Sequence, residues 1–195
     1  HSRFAPGLEP GLSADPALSA LWKKRLARLG GRLKVGLTWA GNPNHFNDLN
    51  RSIDLPRLLP VLENRKVSFV SLQKELRPGD SDILNRMQVL DAAPELDTFA
   101  DTAALVSQLD LVISVDTSVA HLAGALAKPV WILLPFAVDF RWLAGRSDSP
   151  WYPTMRLFRQ RLPGEWQPVF NEIKAALRYH MTDEWPQKTR KSTKR

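Results

Sequence analysis

The run Asp116-Thr117-Ser118-Val119-Ala120-His121 carries the densest chemistry in this 195-residue chain. An apolar stretch, Leu111 to Val115, ends just before it, and a small-residue stretch, Val119 to Ala127, follows. That order places the run at a strand end and in the first turn of a helix. The first N–H groups of a helix have no partner within it, and the helix dipole adds about half a positive charge there. The amides of Thr117, Ser118 and Val119, with two hydroxyls, therefore make an anion site of the kind that holds phosphate. His121 lies one turn in, close enough to donate to the same anion. Asp116 repels a phosphate but accepts hydrogen bonds from hydroxyl groups such as those of a sugar. The bland alternative is that these are ordinary helix caps with one packed histidine.

Three other segments fall at strand ends and offer polar groups. In the loop Gly41 to Arg51, Gly41 permits close backbone approach to a ligand, and Asn42 and Asn44 are neutral donors. Arg51 presents a planar fork of donors that matches phosphate oxygens. Gln73-Lys74 can hydrogen-bond a base or ribose. Pro135 to Trp142 places Asp139 and Arg141 among aromatics, as in a base or sugar pocket. For each, a solvated surface loop is the competing reading. The Gly-x4-Gly-Lys-Ser/Thr loop and the dinucleotide fingerprint are both absent. His1, His45, His121 and His180 show no metal-ligand spacing, there is no Gly-x-Ser-x-Gly elbow, and no carboxylate pair stands out as a glycosidase dyad.

These residues need a scaffold of alternating strands and helices. Asp15 and Pro16 start a helix with Leu18, Leu21, Trp22, Leu26 and Leu29 on one face, ended by Gly30-Gly31. Strands are expected at Lys34–Ala40, Val67–Leu72, Gln88–Leu90, Leu111–Val115, Val130–Leu134 and Met155–Phe158. Helical segments are expected over Leu55–Leu62 (interrupted by Pro60), Ser81–Met87, Asp101–Leu109 with Asp101 as cap, Val119–Ala127 and Val169–Leu177. The clearest unit is the crossover from Leu111 to Leu134, whose continuous apolar strands imply burial on both sheet faces. The whole predicts an α/β fold, a Rossmann-like doubly wound parallel sheet with ligands at the carboxyl ends of its strands. The expected organisation is a lead-in and linker helix over residues 1–33, a domain over 34–180 and a basic flexible tail over 181–195.

Composition narrows the class. Apolar residues make up 44% and charged residues 24%, an ordinary globular mix. The net charge is +7, but Lys188, Arg190, Lys191, Lys194 and Arg195 supply five of those charges from the last eight residues. A terminal basic run of this kind is usually a solvated end, and no aromatics interleave with it as nucleic-acid stacking would need. No nucleic-acid partner is expected. The longest apolar run, Pro129 to Val138, is broken by Pro135 and is too short to cross a bilayer. Without cysteines or a signal-peptide pattern, a cytoplasmic location is expected. The first residue, His1, suggests a fragment or processed product.

The segment Val112 to Leu126, followed by Lys128-Pro129-Val130, resembles the heptosyltransferase-like glycosyltransferases of family 9. Their signature is an Asp-Thr-Gly/Ala-x-x-His block, a small-residue helix and a Pro-led strand. The resemblance extends to bacterial tetratricopeptide-repeat proteins with a C-terminal glycosyltransferase domain. It rests there on Gly36–Pro43, Asn50–Ile53, Val70–Lys74, Phe99–Ala103 and Asp148–Pro153, and spans about Lys34 to Leu177. It implies the C-terminal half of a two-domain, GT-B-type fold that holds a nucleotide diphosphate sugar without a metal. By that likeness Thr117, Ser118, Val119 and His121 hold the diphosphate, Arg51 neutralises the leaving phosphate and Asp116 meets the sugar. Gln73 and the 136–142 loop, with Asp139 and Arg141, serve base or ribose. Ser118 stands where family 9 has Gly or Ala, so the sugar itself is not carried over. The expected function is donor binding within a metal-independent glycosyltransferase, with no other cofactor. A missing N-terminal half, with tetratricopeptide repeats ahead of it, would bring the catalytic base and an acceptor left open. The competing readings are a non-catalytic scaffold with a vestigial donor site and a nucleotide-sugar epimerase-like domain.

Overall fold

Alternating inward and outward apolar side chains along each strand require cover on both faces of a sheet. The computed structural model, which describes residues 11–29 and 33–180, meets that requirement with one six-stranded parallel sheet. The start of the lead-in, Gly30-Gly31 and the 181–195 tail lie outside the described residues. The strands are β1 (Leu33–Thr38), β2 (Val67–Ser71), β3 (Leu90–Asp91), β4 (Leu111–Val115), β5 (Val130–Leu134) and β6 (Met155–Arg159), in the order β3-β2-β1-β4-β5-β6. This is the doubly wound Rossmann order. Registers run Leu37↔Ile113 between β1 and β4, and Ile113↔Trp131 between β4 and β5.

The helices are α1 (Pro16–Leu26), α2 (Asp48–Arg51), α3 (Leu59–Leu62), α4 (Asp80–Arg86), α5 (Phe99–Ser107), α6 (Ser118–Ala125) and α7 (Gln167–His180). Leu37, Ile113, Val115, Trp131, Leu133 and Phe158 face one layer, which includes α3, α4 and α7. Val70, Leu72, Val112, Val130, Ile132 and Leu134 face the other, made by α1, α5 and α6. Trp22 and Leu26 of α1 are buried in that second layer, so the described part of the lead-in shares the domain core.

Several boundaries differ from expectation for local reasons. Thr98, not Asp101, caps α5. Its hydroxyl accepts from the Asp101 amide at 3.2 Å while Asp101 accepts from the Thr98 amide at 2.8 Å, a reciprocal capping box. Gln88 has φ 55°, which ends α4 in a left-handed turn and delays β3 to Leu90. Residues Leu55–Leu58 form a 3-10 turn before α3, where Pro60 falls in the first turn and needs no amide partner. Asp15 caps α1 as expected, accepting from the Leu18 amide at 2.9 Å.

Candidate functional site

The sheet reverses its winding between β1 and β4. From there β1 leads outward to β2, and β4 leads the other way to β5, so a crevice opens at their carboxyl ends. The crevice is a cleft of about 190 Å³ whose lining includes Gly41, Asn42, Gln73, Thr117, Ser118 and Val119. Thr117 is the extended N-cap of α6, yet its side chain makes no cap hydrogen bond. Its hydroxyl lies 3.0 Å from that of Ser114 instead, so no Thr117 cap covers the first turn of α6. Amides left that way at a helix start favour an anion.

Arg51 sits on the β1 side of the crevice. Its Nη1 donates to the Asp116 carbonyl at 3.3 Å, and its buried Nε has no hydrogen-bond partner. The guanidinium lies flat against Gly41, where a Cβ would come within 2.7 Å of the guanidinium carbon. Gly41 thus makes room for Arg51, a role the sequence did not disclose. Asn42 is exposed and uses its side-chain oxygen to accept from the Asn44 amide at 2.9 Å, closing a tight turn.

Gln73 is held by the scaffold. It is 4% exposed, and its Oε1 accepts from the Trp39 and Ala40 amides at 3.2 and 3.0 Å while its Nε2 donates to the Glu75 carbonyl. It fixes the start of the β1 loop that carries Gly41. Lys74 donates to the Leu96 carbonyl at 2.6 Å. Beneath the same loop runs a buried polar network that the sequence reading missed. Asp48 accepts from Ser52 Oγ at 2.6 Å and Arg77 Nη2 at 2.7 Å, and Ser52 accepts from the Gly41 amide. Asp80 accepts from Trp39 Nε1 and the Arg77 amide. Spacing gives no hint of it, because the partners come from three separate segments, 39–41, 48–52 and 77–80.

None of the cleft-lining residues belongs to a second group, in which His121, Arg141, Trp142 and, through His121, Tyr152 gather around Asp116. His121 Nε2 is 3.7 Å and Arg141 Nη2 4.0 Å from its carboxylate. The His121 ring stacks on buried Trp142 at 5.3 Å, and its Nδ1 is 3.3 Å from the Tyr152 hydroxyl. Burial pushes the Asp116 carboxyl up, but His121, the Trp142 indole N–H and the Arg141 charge together outweigh it and hold it below its ordinary value. Asp139 accepts from Arg141 Nε at 2.8 Å and from its amide at 3.0 Å, which aims Arg141 at Asp116 and holds the Asp139 carboxyl low as well. The sequence placed Asp139 and Arg141 in a base or sugar pocket; Arg141 lies at Asp116, the residue expected to meet the sugar. Among the described residues no group of three or more His, Cys, Asp or Glu gathers as metal ligands would.

Comparison with known proteins agrees with this fold. Residues 80–133 match the model of glycosyltransferase family 9 (heptosyltransferase). The fold superposes on the E. coli ADP-heptose lps heptosyltransferase II with a TM-score of 0.59 at 15% identity, covering 90% of this chain and 56% of that one. It also superposes on a family 9 glycosyl transferase from Veillonella parvula, with a TM-score of 0.59 at 10% identity over 88% and 53%. Over residues 80–133 the chain is thus similar to family 9, and its fold is similar to those two structures. Protein FlbA of Caulobacter vibrioides is 31% identical over 193 residues, 90% of this chain but 32% of FlbA. This chain thus spans about a third of that curated relative and just over half of the two solved structures. The family match covers α4 to β5, and therefore includes Asp116 to His121 but not Arg51. No helix among the described residues is long and apolar enough to cross a membrane.

Proposed function

We propose that this domain is the nucleotide-diphosphate-sugar-binding half of a metal-independent glycosyltransferase. The observation that carries the reading is the α6 N-terminus, left uncapped by Thr117, opening into the switch-point crevice with Arg51 fixed beside it. In the transfer, an acceptor oxygen bonds to the anomeric carbon as the bond from that carbon to the diphosphate oxygen breaks. The nucleoside diphosphate leaves with the electron pair. Charge develops on the leaving phosphate, where the Ser118 and Val119 amides, the α6 dipole and Arg51 stabilise it in place of a metal. His121, one turn inside α6, faces Asp116 on the sugar side of that group. Asp116, held ionised between His121 and Arg141, accepts from sugar hydroxyls. Asn42 rims the base side, and Gln73 supports that rim from beneath. The base that takes the acceptor proton belongs to a companion N-terminal half, with tetratricopeptide repeats ahead of it and the whole protein in the cytoplasm. Family 9 likeness and the relatives' greater length support the companion half; the repeats and the location rest on the sequence alone.

Calorimetric titration with UDP, GDP, ADP, the matching monophosphates and inorganic phosphate tests this, on the fragment and the full-length protein. One diphosphate should bind well above its monophosphate. Arg51→Ala should weaken it and, in the full-length enzyme, cost on the order of 10²–10³ in rate. Equal affinity for mono- and diphosphate, or binding indifferent to Arg51→Ala, overturns the diphosphate reading. Full-length binding without turnover against any acceptor extract leaves the scaffold reading standing instead.

A further inference from the structure

The turn Asp148-Ser149-Pro150-Trp151-Tyr152-Pro153 joins β5 to β6 and does not line the switch-point cleft. It nonetheless reaches two of the groups around Asp116. Buried Ser149 accepts from the Trp151 and Tyr152 amides at 3.2 and 3.4 Å, which folds the turn back on itself. Trp151 Nε1 donates to the Arg141 carbonyl at 2.9 Å. The Tyr152 ring occupies the notch left by Gly124 on α6, where a Cβ would lie 2.6 Å from the ring. That seat brings its hydroxyl to His121 Nδ1 at 3.3 Å.

We infer that Tyr152 is a positioning residue that holds His121 in the Nε2–H tautomer, aimed at Asp116. A neutral imidazole carries one proton, and the nitrogen that lacks it accepts only. Nε2 is buried and 3.7 Å from a carboxylate oxygen, which accepts only. The proton therefore belongs on Nε2, and Nδ1 needs a donor. The Tyr152 hydroxyl is the donor placed there, so the chain reads Tyr152 O–H to Nδ1, then Nε2–H toward Asp116. Stacking on Trp142 fixes the plane of the ring; the hydroxyl fixes which nitrogen carries the proton. Packing alone would need only the Tyr152 ring. The consequence for donor binding rests on the function proposed above, but the tautomer does not.

The test is nitrogen-15 NMR of the histidine rings in the full chain, at a pH where His121 is neutral, with the signal assigned by its loss in His121→Gln. Wild type should show Nε2–H with Nδ1 bare. Tyr152→Phe keeps the ring on Gly124 and removes only the donor. It should lower the ratio of Nε2–H to Nδ1–H about three- to tenfold, the range expected for losing one hydrogen bond. A wild-type His121 in the Nδ1–H form overturns the inference without any variant, and so does an unchanged ratio in Tyr152→Phe. Titration of the same samples with UDP, GDP and ADP separates the two ideas. No binding by wild type sinks the donor-site reading and leaves the tautomer result to stand or fall alone.

Discussion

Replacing Gln73 with Met keeps the length and volume of the side chain and removes its hydrogen bonds. In the wild-type fold one oxygen serves two buried backbone donors, the Trp39 and Ala40 amides, and the side-chain nitrogen serves the Glu75 carbonyl. Trp39 and Ala40 are 0% and 3% exposed, so water does not replace the lost acceptor without opening the loop. A buried donor left without a partner costs about 1–3 kcal/mol, so two cost roughly 2–6 kcal/mol before relaxation. Some opening of the loop will recover part of this, and about 3 kcal/mol is the expected net loss. That is a large share of a stability that is commonly about 5–15 kcal/mol. At this chain length it corresponds to roughly 6–12 °C in Tm. Urea unfolding followed by tryptophan fluorescence measures it directly, since Trp39 sits at the perturbed position. A loss below about 1 kcal/mol would show that the two amides do not depend on Gln73. Its amide would then be available to a ligand, and its assignment to the scaffold would be wrong.

Gly41→Ala should displace the Arg51 guanidinium, because the new methyl occupies its place; nucleotide affinity should fall as in Arg51→Ala, at a stability cost of about 1–3 kcal/mol from overpacking, both readable by calorimetry and urea melts. Asp116 has a lowered carboxyl pKa, so its charge stabilises the fold above the ordinary value of 3.8 and that contribution is lost as pH falls through the lower folded value. Urea melts of wild type and Asp116→Asn between pH 2 and 7 should therefore differ by a constant amount above about pH 4 and converge below it; a gap that widens on acidification contradicts the assignment. Thr98→Ala breaks the α5 capping box and should cost about 1 kcal/mol, whereas Asp101→Asn, which keeps an acceptor for the Thr98 amide, should cost less in the same melts.

The strand–helix–strand crossover from β4 to β5 was legible because its signals are local. Five apolar residues in a row, a small-residue helix and a Lys-Pro stop leave little room for another reading, and both strands fall at the expected residues. The α5 cap was legible too, since Thr98-x-x-Asp101 has capping-box spacing, and only the preference for Asp over Thr misplaced the start by three residues. The site was legible in part. Asp116, Thr117 and Ser118 fall where a strand end meets a helix start, which a continuous stretch of sequence does specify. What was hidden is which distant residues reach that stretch. Gln73 reads as a polar strand end, and only the fold turns it inward onto the β1 loop. Trp142 and Tyr152 both lie in segments with visible character, but nothing in their spacing from His121 says that they flank its ring.

The β1 loop and the surroundings of Asp116 are stiffened by different physics. On the β1 side, Asp48 and Asp80 are 5% and 3% exposed, so each carboxylate must be fully served by donors, and Ser52, Arg77 and Trp39 do so. That network ties the Gly41 amide, and with it the seat of Arg51, to residues from α4 and the loop before it. On the α6 side, Asp116 is served by groups that stop short of hydrogen-bond distance: His121 at 3.7 Å and Arg141 at 4.0 Å. The donors to Asp48 and Asp80 are used in holding the loop and so support Arg51 rather than meet a ligand; donors held close to Asp116 but not bonded to it can respond with only a small movement. The rigid side therefore suits the fixed charge of a phosphate, for which reorganisation would waste binding energy. The less saturated side suits a sugar, whose hydroxyls must find partners as the anomeric bond breaks. Under the proposed function, that division assigns the leaving group to Arg51 and the α6 N-terminus, and the transferred group to Asp116.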